Sequence, residues 1–178
     1  MEIRDLLLRL GEDLNREGLI ETPERVAKAW CERLSGYEED PEEILSKQFE
    51  NEDEPGALHL CENVHYVSTC EHHLLPFEGY VSIAYLPDEN VVGLSKLARL
   101  VQCYAKRLQI QERMTKEIAE AITQHLEPIG VAVVVSGRHL CCVGRGVRQK
   151  EMSFVTTTYR GNVDLQILQT MTLQIKRS

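Results

Sequence analysis

The segment at residues 129–135 limits the fold most, because it is a nearly continuous run of β-branched residues and alanine. A run of this kind predicts a strand that is buried on both faces. Two segments with the helical spacing of apolar residues precede it, at about 95–108 and 111–128. The chain therefore combines helices and strands, and its core includes at least one fully buried strand.

The other patterns of the C-terminal two thirds give an order of elements. We expect strands at about 58–69 and 77–86, on either side of a turn, and a further strand at 152–160. A final helix is predicted to begin with Asn162 as its N-cap. The resulting order, β-β-α-α-β-β followed by a helix, indicates an α+β fold with an antiparallel sheet.

The N-terminal third is predicted to be helical. Leucines at helical spacing predict a helix at 2–18, and Thr22 with Pro23 predicts the start of a second helix that runs to about residue 36. Asp40 and Pro41 repeat this pattern for a short third helix. The acidic residues that follow, at 48–56, are predicted to form a loop. We thus distinguish an N-terminal helical region, 1–56, from a second region, 57–178, and expect one structural unit overall.

Composition excludes several classes of partner. The chain has 178 residues, 43% of them hydrophobic, and a formal net charge of −8, which argues against nucleic acid or an anionic membrane surface as the main partner. This net charge does not exclude a small basic pocket. Charges interrupt the apolar N-terminal residues, so we expect neither a signal peptide nor a membrane span. The six cysteines are then expected to be thiols or metal ligands in a reducing cytoplasm.

Two short motifs bring together the ligand types that zinc prefers. Cys70-Glu-His-His73 places a thiol and an imidazole with two residues between them, and His139-Leu-Cys141 lies in an apolar stretch. If that stretch is a strand, His139 and Cys141 face the same way. Three ligands, Cys70, His73 and Cys141, would leave His72 and His139 as proton-transfer groups. The alternatives are a four-ligand structural zinc that includes His139, and a set of buried thiols with core histidines.

A second group of residues favours an anion. The sequence Gly93-Leu-Ser95-Lys96 opens a predicted helix, whose N-terminus attracts a phosphate, and Lys96 and Arg99 lie on one face. The alternative is an ordinary serine N-cap with two solvated cations. Arg145 follows Cys141 closely enough to lie near a metal, and Arg25 stands where the helix dipole disfavours a cation, which hints at a partner.

Gln111 and Glu112 begin the next predicted helix. A carboxylate in that position suits the helix dipole and is usually a capping or solvated group. The functional alternative is a carboxylate that accepts two N–H bonds from a guanine edge. The chain has neither a phosphate-binding P-loop nor the histidine, glutamate and paired-cysteine pattern of zinc nucleobase deaminases. Phosphates would therefore be held by separate cations and not transferred.

Taken together, these motifs closely resemble those of GTP cyclohydrolase I. The resemblance spans nearly the whole chain in the same order, and the Cys-Glu-His-His block is its most specific part. It rests on Cys70–Gly79, on Gly93–Lys96, on Arg107–Glu112, on His139–Cys141 with Arg145 and Gly146, and on N-terminal matches from Gly11 to Lys28.

The resemblance implies an activity and a role for each motif. It implies that Cys70, His73 and Cys141 bind Zn2+, that His72 is a catalytic acid/base, and that His139 assists. It places Glu112 on the guanine ring of GTP with Gln111 nearby. The triphosphate and ribose are assigned to Ser95, Lys96, Arg99, Arg145 and Arg25. The implied reaction opens the imidazole ring of GTP, releases formate and gives 7,8-dihydroneopterin triphosphate, the first step of tetrahydrofolate and pterin biosynthesis.

The resemblance also implies a fold and an assembly. The fold is the tunnelling fold, in which β-β-α-α-β-β units pair around a barrel, and the assembly is a homodecamer of two pentameric rings with active sites between subunits. The chain departs from the family pattern at Leu14, at 136–138 and at Cys142, which replaces a usual methionine. Cys142 raises the question of which thiol binds the metal, and strand alternation from His139 favours Cys141.

Overall fold

The structure is a computed structural model that describes residues 2–54 and 56–177. Its described residues form helices and strands in the mixed order expected of an α+β protein. The helices are α1 (Ile3–Arg9), α2 (Thr22–Arg33), α3 (Pro41–Leu45), α4 (Leu94–Ala105), α5 (Gln111–Leu126), α6 (Leu140–Val143) and α7 (Leu165–Gln174). The strands are β1 (Gln48–Glu50), β2 (His59–Cys70), β3 (Pro76–Leu86), β4 (Asn90–Val92), β5 (Leu108–Gln109), β6 (Gly130–His139) and β7 (Phe154–Gly161).

A five-stranded sheet in the order β5-β2-β3-β6-β7 organises the molecule. The four long strands are antiparallel neighbours, as the sequence predicts, whereas the two-residue β5 runs parallel to the end of β2. Thr69 pairs with Pro76, and Phe77 pairs with His139. The ends of β2 and β6 and the start of β3 therefore meet at one end of the sheet.

The main core lies between one face of this sheet and the helices α4 and α5. Their apolar stripes, which include Leu97, Leu100, Ile118 and Ile122, are completely or almost completely buried with the inward side chains of β3 and β6. A smaller cluster on the other face joins the sheet to Met171 and its neighbours in α7. The run predicted at 129–135 is thus buried on both faces from residue 130 onwards, whereas Ile129 is exposed and lies before the strand.

The N-terminal helix is shorter than the sequence predicts. It ends at Arg9, because Gly11 adopts a left-handed conformation with φ +83° and the residues up to α2 form turns. The expected helix at 2–18 is therefore wrong beyond residue 9. Neither α1 nor α2 contains a buried residue, and Leu8 and Leu10 are exposed. These leucines have no core to pack against within the described chain.

Other helix boundaries also differ from expectation. Glu21, not Thr22, is the N-cap of α2, and the Thr22 hydroxyl donates to the Gly18 carbonyl. The predicted cap at Asn162 is wrong, since Asp164 caps α7 by accepting a hydrogen bond from the Gln166 amide. Asp40 does cap α3 as expected, accepting from the Glu42 amide.

The segment predicted as a loop at 48–56 begins with a strand. Gln48–Glu50 pairs with Asn90–Val92, and the side-chain amide of Gln48 donates to the carbonyl of His125 in α5. This small two-stranded sheet connects the N-terminal third to the helical layer. In the part of the chain that the structure describes, no helix combines the length and apolar character needed to cross a bilayer.

Candidate metal centre and active site

A tight turn between β2 and β3 presents the first two candidate ligands. The Leu74 amide donates to the Cys70 carbonyl at 2.8 Å, and the Cys70 amide donates to the Leu75 carbonyl at 2.9 Å. Leu74 itself is left-handed, with φ +55°. This closed turn, residues 70–75, is called the metal turn below. It holds the buried Cys70 and the exposed His73 so that Cys70 Sγ lies 3.8 Å from His73 Nδ1.

The third member of the cluster comes from the end of β6, but not by the route that the sequence predicts. The strand ends at His139 and Cys141 lies in the short helix α6, so the expectation that these two side chains share a strand face is wrong. The helical turn instead brings Cys141 beside the β2–β3 turn. Ligand atoms of Cys70, His73 and Cys141 all lie within 4.8 Å of one another. Cys142 stays outside this group, its Sγ 4.0 Å from that of Cys141.

The cluster fits a tetrahedral cation with one open position. Around a zinc ion with Zn–S of about 2.3 Å and Zn–N of about 2.0–2.1 Å, neighbouring ligand atoms lie roughly 3.5–3.8 Å apart. Burial raises the pKa of the Cys141 thiol to about 11, and the nearby Cys70 adds to this increase. A cation reverses that preference, because it stabilises both thiolates at once. Within the described residues the cluster has three members, and His139 is not one of them.

The two histidines predicted as proton-transfer groups lie in different surroundings. His72 is exposed in the metal turn, with Nδ1 4.0 Å from Cys70 Sγ. His139 is half-buried and stacks on Phe77, with ring centroids 4.6 Å apart and an interplanar angle of 3°. Burial lowers the pKa of His139, and the negative charge of Glu112 partly opposes this effect. Burial therefore favours the neutral form of this imidazole, and Glu112 favours the charged form.

The first turn of α5 lies against the same end of the sheet. Gln111 is completely buried, and its side-chain oxygen lies 2.9 Å from His139 Nε2. Glu112 is exposed at the helix N-terminus, where the helix dipole favours a carboxylate. Arg113 bonds back to the metal turn, where it pairs with Glu71 between the candidate ligands. That pairing lowers the pKa of Glu71 and raises the pKa of Arg113.

Sequence reasoning missed three residues that support this arrangement. Arg113 also donates to the Leu108 carbonyl and to the Gln109 side chain, which fixes its guanidinium beside Glu71. Phe77 forms the platform under His139, and Gly137 leaves space for the Gln111 amide. A lone arginine, phenylalanine or glycine carries no spacing signal, so only the tertiary structure identifies them.

The predicted phosphate-binding residues do not all reach this end. Arg145 does, with Nη1 3.2 Å from His73 Nε2. Arg25 is exposed on α2, where it pairs with Glu21 and donates to the Gly18 carbonyl. Gly93 is the N-cap of α4, so the alternative of Ser95 as N-cap is wrong, and Ser95 and Arg99 are exposed.

The start of α4 lies at the far end of the sheet from the metal turn. β3 begins beside Cys70 and has 11 residues, which at about 3.4 Å each separate its ends by roughly 35 Å. α4 follows the far end and returns, since Gln102 donates to the His65 carbonyl and β5 then pairs with Thr69 and Cys70. Its 12 residues span about 18 Å. Ser95 and Lys96 are therefore separated from the metal cluster of their own chain.

Comparison with known proteins identifies the family. A sequence model described as GTP cyclohydrolase I matches residues 1–175. The chain belongs to the GTP cyclohydrolase I family. A protein named GTP cyclohydrolase 1 from Wolinella succinogenes is 49% identical over 162 residues, covering 89% of this chain and 84% of that protein.

Two further relatives carry the same name. The protein from Bartonella quintana is 45% identical over 98% of this chain and 85% of its own length, and that from Clostridium perfringens strain 13 is 53% identical over 88% of this chain and 83% of its own length. The match to the GTP cyclohydrolase I family includes both the metal turn and the start of α4. Both ends of the sheet thus belong to the shared sequence.

Proposed function

We propose that the protein is a GTP cyclohydrolase I that opens the imidazole ring of GTP by hydrolysis, releases formate and yields 7,8-dihydroneopterin triphosphate. The observation that carries the proposal is the three-member cluster of Cys70, His73 and Cys141 in a chain of this family. Structural zinc sites usually have four protein ligands, whereas catalytic ones have three and an open position. The separate engagement of His139 by Gln111 therefore supports catalysis over a purely structural metal.

Zinc is the proposed metal, because two thiols and one imidazole form a donor set that suits it. Zinc bound there supplies a Lewis acid that makes water a nucleophile near neutral pH. Cys70 and Cys141 balance the ionic charge with thiolates, and the Arg113–Glu71 pair keeps the metal turn in place. The chain itself thus provides the ligands and the support for them.

The two histidines are proposed to move the protons that ring opening requires. Water adds at C8 of the purine, and the imidazole ring nitrogen must be protonated before the C–N bond breaks. His72 is exposed in the metal turn and is placed to deliver that proton, while the neutral His139 is suited to accept one. Positioned acid–base groups of this kind contribute about 10²–10⁴-fold to a rate.

Glu112 is proposed to select the base. Its carboxylate, exposed at the start of α5, would accept two hydrogen bonds from the N–H groups on the guanine edge. Adenine lacks that pair of donors. If bound substrate buries the carboxylate, adenine would leave it unpaired, and a mismatch of this kind costs about 10⁴-fold or more. Gln111 is the neighbouring residue of the proposed guanine site.

The triphosphate and ribose are proposed to bind Ser95, Lys96, Arg99, Arg145 and Arg25. Because the start of α4 lies far from the metal cluster of the same chain, a complete site requires α4 from another copy. We infer a homo-oligomer with sites between subunits, in which units of the tunnelling fold form a barrel and two pentameric rings form a decamer. The uncovered leucines of α1 are consistent with contacts between copies.

A direct assay tests the proposed function. The zinc-loaded protein should release formate from GTP and give a pterin product that is fluorescent after oxidation, and ATP should give neither. The His72→Ala variant should keep zinc and GTP binding but lose about 10²–10⁴-fold in kcat, because only the proton transfer is removed. Absence of formate from the zinc-loaded wild type would refute the proposal, and full activity of the variant would refute the role of His72.

A further inference from the structure

The side chain of Gln111 is buried and fully engaged within its own chain. It is 0% exposed. Its amide nitrogen lies 3.1 Å from the Val135 carbonyl oxygen, 3.0 Å from the Phe154 carbonyl oxygen and 3.2 Å from Thr156 Oγ1. No hydrogen of this amide is left for a substrate, because an amide nitrogen carries only two hydrogens and three acceptors surround it.

A closed ring of hydrogen bonds fixes the same side chain. The Thr115 hydroxyl donates to the backbone carbonyl of Gln111 at 2.7 Å, so its single hydrogen is used. In the 2.6 Å contact between the two threonine hydroxyls, Thr156 is therefore the donor. Thr156 in turn accepts from the Gln111 amide, which closes the ring. Networks of this kind hold a buried side chain in one orientation.

The orientation of Gln111 determines the proton position on His139. The Val135 and Phe154 carbonyls can only accept, so the amide nitrogen faces them and the amide oxygen faces His139. That oxygen can only accept, and it lies 2.9 Å from His139 Nε2. His139 Nε2 therefore carries a hydrogen. In the neutral ring the other nitrogen, Nδ1, is then the proton acceptor.

Two aromatic rings pack against the imidazole of His139. Phe77 stacks flat against one face of the ring, and Phe154 meets it edge-on, with centroids 6.3 Å apart. A Cβ atom at position 137 would lie 2.2 Å from Gln111 Oε1 and 2.8 Å from the Tyr66 hydroxyl, so a side chain there would displace these two groups. The absence of a side chain at Gly137 lets the amide oxygen approach His139.

We propose that Gln111 is a positioning residue, which holds His139 in the Nε2-protonated tautomer with Nδ1 free for proton transfer, and that its side chain does not contact the guanine base. This inference rests on the proposed function, because it assigns a partner to one of the proposed proton-transfer groups. Glu112, the next residue, then provides the base contact alone. The start of α5 thus separates two tasks between adjacent side chains.

Kinetics of the zinc-loaded full chain distinguish positioning from substrate contact. The Gln111→Met variant should lose about 10–100-fold in kcat, the usual effect of losing a group that orients a histidine, with KM for GTP and zinc content within about twofold of wild type. In the Gln111→Glu variant, complete burial against the Val135 and Phe154 carbonyls should keep the new carboxyl group protonated, so that it donates to one carbonyl and still accepts from His139 Nε2. This variant should therefore recover most of that loss. A raised KM with unchanged kcat in Gln111→Met would overturn the proposal and make Gln111 a guanine contact.

The tautomer itself is measured by 15N NMR of side-chain-labelled histidines, with His139→Asn used to assign the resonances. Wild type should show a protonated Nε2 on His139, and Gln111→Met should lose that preference. Thr123→Val is the matched control, since it removes from the same helix an exposed threonine hydroxyl that donates to the Ala119 carbonyl, and it should keep both the tautomer and kcat. An unchanged tautomer in Gln111→Met would overturn the proposal.

The outcomes remain separable if a variant is unstable or the wild type is inactive. If Gln111→Met does not fold, Gln111→Glu decides. In that variant, the native His139 tautomer together with a kcat within about tenfold of wild type supports positioning, and a change confined to KM refutes it. A wild type that releases no formate refutes the proposed function, whereas the NMR comparison still decides whether Gln111 sets the His139 tautomer. An active wild type with an unaffected tautomer in Gln111→Met refutes only the positioning role.

Discussion

At the end of the sheet where β2 turns into β3, the metal end, buried contacts hold the candidate catalytic groups. At the opposite end, the far end, α4 begins, and its residues Ser95 and Arg99 are exposed. The metal end uses stacking, a closed turn and a buried amide to fix its side chains. The far end offers a helix N-terminus and cations without comparable support. Bond-making chemistry requires fixed geometry, while binding a flexible triphosphate mainly requires charge.

The difference also shows which parts of the proposed active site one chain supplies and which parts it lacks. The candidate ligands, the proposed proton-transfer groups and the carboxylate proposed to recognise the base come from elements that meet within a single chain. The predicted phosphate residues Ser95 and Lys96 lie at the end of the roughly 18 Å long α4 that is opposite to β5, the strand that pairs with Cys70. A second copy is therefore expected to supply them, and the contrast between the two ends can be tested at each end separately.

The largest effect is expected at the metal end. Cys141→Ala should abolish both bound zinc and turnover, because one thiolate of three ligands is lost and the remaining pair binds weakly. Cys142→Ala is the matched control and should keep both, since Cys142 lies outside the cluster. Zinc content by elemental analysis and formate release measure the two outcomes. The reverse pattern would move the third ligand to Cys142.

Mixing two inactive variants tests whether α4 of one chain completes the active site of another chain. The Lys96→Ala/Arg99→Ala double variant should lose about 100-fold or more in kcat/KM, as expected when two charged contacts to phosphate are removed. Coexpressed with Cys141→Ala in equal amounts, it should recover up to about one quarter of wild-type activity, because some sites then combine two intact halves. If each site were built within one chain, no combination of these variants would recover activity.

A smaller effect is expected from the support of the metal turn. Arg113→Ala removes the partner of Glu71 and the link between α5 and the turn, so the affinity for zinc should fall about tenfold while the ligands remain. Lys116→Ala on the same helix disrupts only the exposed ion pair with Glu120 and should leave the affinity unchanged. Competition with a zinc chelator gives both values. Equal affinities would mean that the turn needs no support from α5.

The long elements could be predicted because their apolar patterns are long and consistent. The run at 131–135, the stripes of α4 and α5 and the flanking strands are all present near their expected places. The three short strands β1, β4 and β5 were missed, since two or three residues carry too little pattern and pair only through tertiary contact. The length of α1 was overestimated because leucine spacing does not show where Gly11 reverses the chain.

The site was predictable in its ligand types and less so in its geometry. Spacing in the Cys-Glu-His-His block indicates a metal turn, and the structure brings Cys141 to it. The assumed strand at 139–141 is wrong, because α6 begins directly after His139. The burial of Gln111 could not be predicted either, since it depends on the space that Gly137 leaves in a neighbouring strand.

The anchoring of α5 on both sides of Glu112 has a consequence for redesign. The preceding residue is fixed by its buried amide and the following one by its ion pair, so the backbone at position 112 has little freedom to shift. A library that varies this position alone would change hydrogen-bonding groups on a constant frame. Altered purine preference among such variants would then report side-chain chemistry and not relaxation of the helix.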